Sequence, residues 1–363
     1  MAPAEVTRIT ARDPVEVIEH CYERGWTDGL PVVPPVRWRV EQMLAASGRS
    51  AGDVLGVLTF RRRTITVEKV AINAVMAGCL PEYFPVVLAC VEAMLEEAFG
   101  LHLAAASTHS PAILVVVNGP ARQALNINCA NNVLSPGWRA NATIGRALRL
   151  VLLNVCGAAP ADFDGGTMGN PAKYSYCMGE YEEASPWEPL SVERGVPRGE
   201  SAVTLFCAEA PRQVCSRLSQ EPEVILRAVV DMMTVVGNGA ALPNEGGFLV
   251  VMGPEHAGTI GGRGWSKADV RRFLYEQARR PLIDFKRAAR IPGPIEPGDE
   301  TRMLAMMHHP EDVFVAVAGS QAGQYSLVIP TQAHATVITK AVSTRSGGPD
   351  GVCTADDQET HRS

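Results

Sequence analysis

Apolar positions along the chain follow two periods. Between Pro14 and Arg24, Val15, Ile18 and Cys21 recur at helical spacing, behind an Asp13-Pro14 pair suited to N-cap and first turn. From Thr66 the same period runs through Val67, Val70, Ala71, Ala74 and Val75 to Gly78-Cys79, then restarts at Pro81 as an apolar helix to Leu95. Further helices are predicted over Arg37 to Ala46, from the Asn141/Thr143 region to Val155, over Pro222 to Val236, and over Lys267 to Arg280. Short apolar runs bounded by Gly, Pro and polar residues read as strands: Val54 to Phe60, Leu101 to Ala106, Ala112 to Val117, Ala202 to Ala208, Phe248 to Met252, Val313 to Ala318 and Tyr325 to Ile329. Strands interleaved with helices predict an α/β fold, with mixed sheets and flanking helices.

One pattern occurs twice. Ile113 to Val117 leads through Asn118-Gly119-Pro120 and a loop to Gly137-Trp138 and an apolar helix. Phe248 to Met252 leads through Gly253-Pro254 and a Gly-rich loop to Gly264-Trp265 and another helix. This spacing predicts an internal duplication of a strand, Gly-Pro loop and helix unit, with a degenerate third copy at Val313 to Ala318 and Gly319 to Gly323. The expected division is residues 1–156 as an N-terminal α/β half, 157–200 as a long loop or lid, 201–342 as a C-terminal α/β half, and 343–363 as a disordered tail.

At 363 residues and 46% hydrophobic content the chain can bury a sizeable core. A net charge of -6 disfavours nucleic acid as a partner, because phosphate binding needs a basic surface. No apolar run reaches membrane-spanning length and no signal-like start is present, so a cytoplasmic protein without a membrane partner is expected. Nine cysteines without CxxC spacing favour reduced thiols over a disulfide framework or zinc knuckle.

The candidate chemistry is scattered. The two Gly-Trp helix starts offer free backbone N–H groups near cations, which suits a small anionic molecule held by Arg139, Asn141, Thr143, Arg146 and Lys267; ordinary capping with surface arginines is the plainer alternative. The Gly258-x-x-Gly261-Gly262-x-Gly264 run lacks dinucleotide-binding spacing, and no cofactor is assigned. Cys79, at a joint between helices, and Cys177, beside Lys173, Tyr174 and Tyr176, are the candidate thiols, against the alternative of inert core cysteines. His109 lies in a loop between apolar runs. His256 follows a strand, where open α/β sheets place active-site groups. Glu180 is a candidate base or metal ligand; Tyr174, Trp26 and Asp28 are candidate pocket residues, with a buried Trp anchor beside an Asp-Gly turn as the alternative for the last two.

Several blocks carry a resemblance: Gly25 to Pro31, Val67 to Cys79, Arg139 to Leu150, Lys173 to Cys177 and Ser185 to Leu190. Through them the chain resembles an uncharacterised bacterial family associated with UGSC-motif (seleno)proteins, over most of its length to about Pro330. The resemblance implies thiol, selenol or sulfur-related chemistry. This chain has Ser107-Thr108-His109-Ser110 where the family pattern is Thr-Thr-His-Pro, Ala172 where it has Gly, and Ser191 where it has a His.

The expectation is therefore an enzyme acting on a small anionic metabolite with Cys and His or Glu chemistry. Alternatives are a metal-dependent lyase or hydrolase using His and Glu ligands, and a non-catalytic subunit of a partner (seleno)protein complex. A homo-oligomer is compatible with each.

Overall fold

Five of the strands predicted from short apolar runs assemble into one mixed sheet, while the predicted Val54 strand pairs with Arg63–Thr66 in a separate hairpin. The computed structural model describes residues 9–343, except 12, 60, 161, 238–242, 244 and 333. The main sheet comprises β1 (Ala112–Asn118), β2 (Cys177–Gly179), β3 (Ala202–Ala208), β4 (Arg212–Cys215), β5 (Gly247–Met252), β6 (Val313–Val317), β7 (Tyr325–Thr331) and β8 (Ile338–Ala341). Their order is β6-β5-β7-β3-β1-β2, with β8 beside β3 and β4 beside β7.

The order has the same pairing read from either end. β1 is parallel to β2 and antiparallel to β3; β5 is parallel to β6 and antiparallel to β7. The halves meet where Thr331 of β7 pairs with Ala208 of β3. They also exchange strands: β4, which follows β3, pairs with β7, and β8, which follows β7, pairs with β3.

The sheet curls. Tyr181 N–H, just past β2, donates to the Val317 carbonyl of β6 at 2.6 Å, although these strands stand at opposite ends of the order. Phe206 of β3 and Phe314 of β6 meet edge to face at 5.3 Å. The concave side holds Leu114, Val116, Met178, Phe206, Leu249, Val251, Ala316 and Ile329. Successive strand side chains point to opposite faces, so Val115, Val117, Val203 and Leu205 face out, under helices, and the strands are apolar on both sides.

Those helices form two groups. α1 (Val67–Ala77), α2 (Phe84–Met94) and α3 (Arg139–Leu150) cover the first half. After the short α4 (Leu190–Glu193), α5 (Pro222–Met233), α6 (Pro254–Gly262) and α7 (Lys267–Gln277) cover the second. Local chemistry sets their ends: the Thr66 side chain accepts from Lys69 N–H at the start of α1, and Ser266 and Asp269 form a capping box on α7.

Three sequence expectations change. Leu101–Ala106 is helical, not a strand; its alanines are strong helix formers, and Leu101 is buried at its start. α3 begins at Arg139 after Trp138 with no side-chain cap, so Asn141 and Thr143 lie inside the helix rather than capping it. The helix continues into a π turn, Val151–Val155. Within 157–200, Cys177–Gly179 is a strand of the main sheet. The tail from 344 onward, with Cys353, and the helix stop at 238–239 lie outside the described residues.

Candidate functional site

The residues expected to clamp an anion at the start of α3 are engaged within the protein. Arg139 donates Nε and Nη2 to the Gly78 carbonyl, at 3.0 and 2.9 Å. Arg146 holds both oxygens of Asp28 at 2.8 Å and reaches the Leu30 and Pro31 carbonyls, tying the proline-rich loop to α3. Thr143 Oγ1 donates to the Arg139 carbonyl, and Asn141 exchanges hydrogen bonds with the Asn128 backbone while donating to the Cys177 carbonyl. The asparagine-rich loop is thereby pinned to both α3 and β2. Trp26 is half-buried, and its carbonyl accepts from Asn154, whose amide also donates to Asn73.

Both candidate thiols are buried. Burial pushes Cys79 up to about 12, against the opposing effects of the Thr143 side chain and of Arg139 and Arg146. Burial also pushes Cys177 up to about 12, with Cys79 adding to the rise. Each is a neutral thiol near pH 7. Tyr174 is exposed.

In the second half, His256 is 1% exposed; its Nδ1 is 2.8 Å from Ser326 Oγ and its Nε2 3.0 Å from the Ser216 carbonyl. A carbonyl only accepts, so Nε2 carries the proton. Burial lowers its pKa, against the Ser216 bond and Glu255. Lys267 is also buried, donating to Glu193 at 2.7 Å and to the Glu188 carbonyl at 2.8 Å. α3 packs on the first core and α7 on the second, so the two Gly-Trp helix starts serve different layers. Among the described residues no group of three or more His, Cys, Asp or Glu could hold a metal ion.

Past the carboxyl ends of β1 and β2 lies a polar cluster. Glu180 Oε2 accepts from Asn118 Nδ2 at 2.7 Å and Leu190 N–H at 2.8 Å. Glu182 accepts from Asn118 and Gly119, and Glu183 takes two bonds from Arg122.

The other concentration of charge faces a cavity of about 30 Å³, enough for one or two waters. It lies between the amino end of β1, α3 and residues 158–176. Leu101, Ala105, Pro111, Ala112, Ile113, Leu148 and Leu152 make it largely apolar; Arg149, Asp164 and Lys173 supply its charges. Lys173 Nζ is 2.8 Å from each Asp164 oxygen, and Arg149 Nη1 is 3.2 Å from one of them. These side chains are 17%, 8% and 13% exposed for Lys173, Asp164 and Arg149. Burial alone would raise Asp164; the Lys173 bond and charge, Gly166 N–H and Arg149 outweigh it and hold the carboxyl below its usual range. Two partly buried cations thus share one carboxylate.

No protein-family model and no curated protein matches the chain.

Sequence reading missed Arg149 and Asp164. Arg149 stands in an apolar helical run, where an arginine reads as the solvated face, and Asp164 in a loop without a motif. Lys173 was visible only as a neighbour of Cys177. His109, exposed, sits in the 107–111 loop whose Pro111 lines the cavity. From the segment expected as a loop or lid, Ala158, Asp164, Ala172, Lys173 and Tyr176 line part of the cavity.

Proposed function

We propose that this protein binds a small molecule with an apolar body and one negative charge in the cavity between α3 and residues 158–176. The observation that carries this reading is the pairing of Arg149 and Lys173 with the single carboxylate of Asp164. These cations are partly withdrawn from water and outnumber the one carboxylate they share, so the +1 group can take one further carboxylate. An arginine can take such a group with two parallel bonds. The small anionic partner expected from sequence thereby moves from the helix starts to this cavity. Entry requires the loop that carries Asp164 and Lys173 to shift, because about 30 Å³ suits only water.

The wider reading is an enzyme acting on that molecule. We propose that its chemistry uses the cavity residues rather than Cys79 or Cys177, which burial keeps neutral. We place the protein in the cytoplasm, since the eight described cysteines are all free. The matching pairing of the two half-sheets supports their origin as one duplicated unit.

Calorimetric titration with butyrate, hexanoate and benzoate, and with their uncharged amides, tests the binding. At least one acid should bind more tightly than its amide. R149M and K173M should each weaken it by about tenfold or more, since losing one partner of a buried charge pair costs roughly 2–5 kcal/mol. D164N, which frees both cations, should tighten it. Equal binding of acid and amide, or none to either wild type or folded D164N, rejects the reading.

A further inference from the structure

The Glu180–Asn118 contact is short of one hydrogen. Both side chains are fully buried. The two Asn118 Nδ2 hydrogens go to Glu180 Oε2 at 2.7 Å and Glu182 Oε1 at 3.0 Å, and Glu180 Oε2 also takes Leu190 N–H. Asn118 Oδ1 and Glu180 Oε1 are left with no hydrogen-bond partner. An unsatisfied buried acceptor costs about 1–3 kcal/mol, and here two of them belong to groups already bonded to each other. A carboxylate has no hydrogen to offer the amide oxygen, whereas a neutral carboxylic acid has one.

We propose that Glu180 holds a proton on Oε1 at neutral pH and donates it to Asn118 Oδ1, closing a cyclic acid–amide pair between the ends of β1 and β2. One proton then satisfies both bare oxygens. The surrounding charges agree. Burial pushes the Glu180 carboxyl up; Lys267, the Asn118 bond and Leu190 N–H oppose this, and Glu182 adds to the rise. Lys267, the cation acting from α7, is already held by the Glu193 carboxylate and the Glu188 carbonyl. Arg271 shares Glu193. On the other side Arg122 is held by Glu183 and lies 3.2 Å from Glu182. Among the described residues no lysine or arginine forms an ion pair with Glu180.

The pair is placed to act as a pH-sensitive latch. It joins the end of β1, the end of β2 and, through Leu190 N–H, the start of α4. Loss of the proton would leave Glu180 and Glu182 as two carboxylates on one Asn118 amide, and would remove the Oε1 bond. A carboxyl whose folded pKa is raised contributes stability that is full below its unfolded pKa and is lost as pH rises through the folded value. Rising pH therefore loosens the β2–α4 junction. This inference is independent of the cavity, which lies at the opposite, amino end of β1.

Infrared spectroscopy of the whole protein at pH 7 is the direct test. The carbonyl stretch of a neutral carboxylic acid is expected in wild type and absent from E180Q, whose amide can both donate to Asn118 and accept from Leu190. In denaturant unfolding the stability of E180Q relative to wild type should grow from pH 5 to pH 9. Absence of the neutral-acid band from wild type at pH 7 overturns the proposal, and needs no variant to fold. A band that survives unchanged in folded E180Q assigns the proton elsewhere and overturns it equally.

Discussion

Arg146 and Asp28 are 118 residues apart in the chain, yet hold each other through two bonds of 2.8 Å. Each was legible as a polar residue in a specific setting, but a single sequence does not say which charges meet. A charge facing a ligand and one facing a buried partner are written alike. The thiols follow the same logic: cysteine type is visible, burial is not. Wild-type protein treated with iodoacetamide near pH 8, followed by peptide mapping, should show exposed Cys215 alkylated first among the described cysteines, and Cys79 and Cys177 protected until unfolding. Early labelling of Cys177 would return it to the candidate chemistry.

At the scale of elements, the Gly-Pro turns were readable as punctuation, while their physical reason lies in the neighbouring strand. A Cβ on Gly119 would sit 2.2 Å from the Glu200 carbonyl oxygen; one on Gly253 would sit 2.2 Å from that of Tyr325. Both follow strands that pair antiparallel with the chain they would strike, so both half-sheets need the same close approach. G119A and G253A are each expected to lose at least about 1–3 kcal/mol in urea unfolding, the cost of overpacking. G258A is the control. It has open space around its Cβ and lies within α6, so it should be neutral or gain about 0.5–1 kcal/mol. Equal effects in all three would remove the steric argument. The misread Leu101–Ala106 segment teaches the converse: a short run of five apolar or small residues around His102 suits a strand or a helix, and packing decides between them.

For the whole molecule, the exchange of β4 and β8 ties the halves together. The C-terminal β8 completes β3, and β4 of the first half completes β7. A fragment of residues 1–219 would lack β8 and β7 beside β3, and should give no cooperative melting transition by circular dichroism. A folded fragment with a sharp transition would show that the exchange is dispensable. Among the described residues no helix is long and apolar enough to cross a membrane.

The sequence by itself determined the class of fold, most strands of the sheet, the helices over it and the Gly-Pro turns, because these rest on local periodicity and backbone sterics. Tertiary structure alone decided that Arg139, Arg146 and Lys267 are occupied, that Arg149 and Lys173 share Asp164 beside a cavity, and that Glu180 meets Asn118 in full burial. Those outcomes depend on which side chains are brought together from distant parts of the chain and removed from water. No local pattern encodes that pairing, and it is what sets the free energy of a charge.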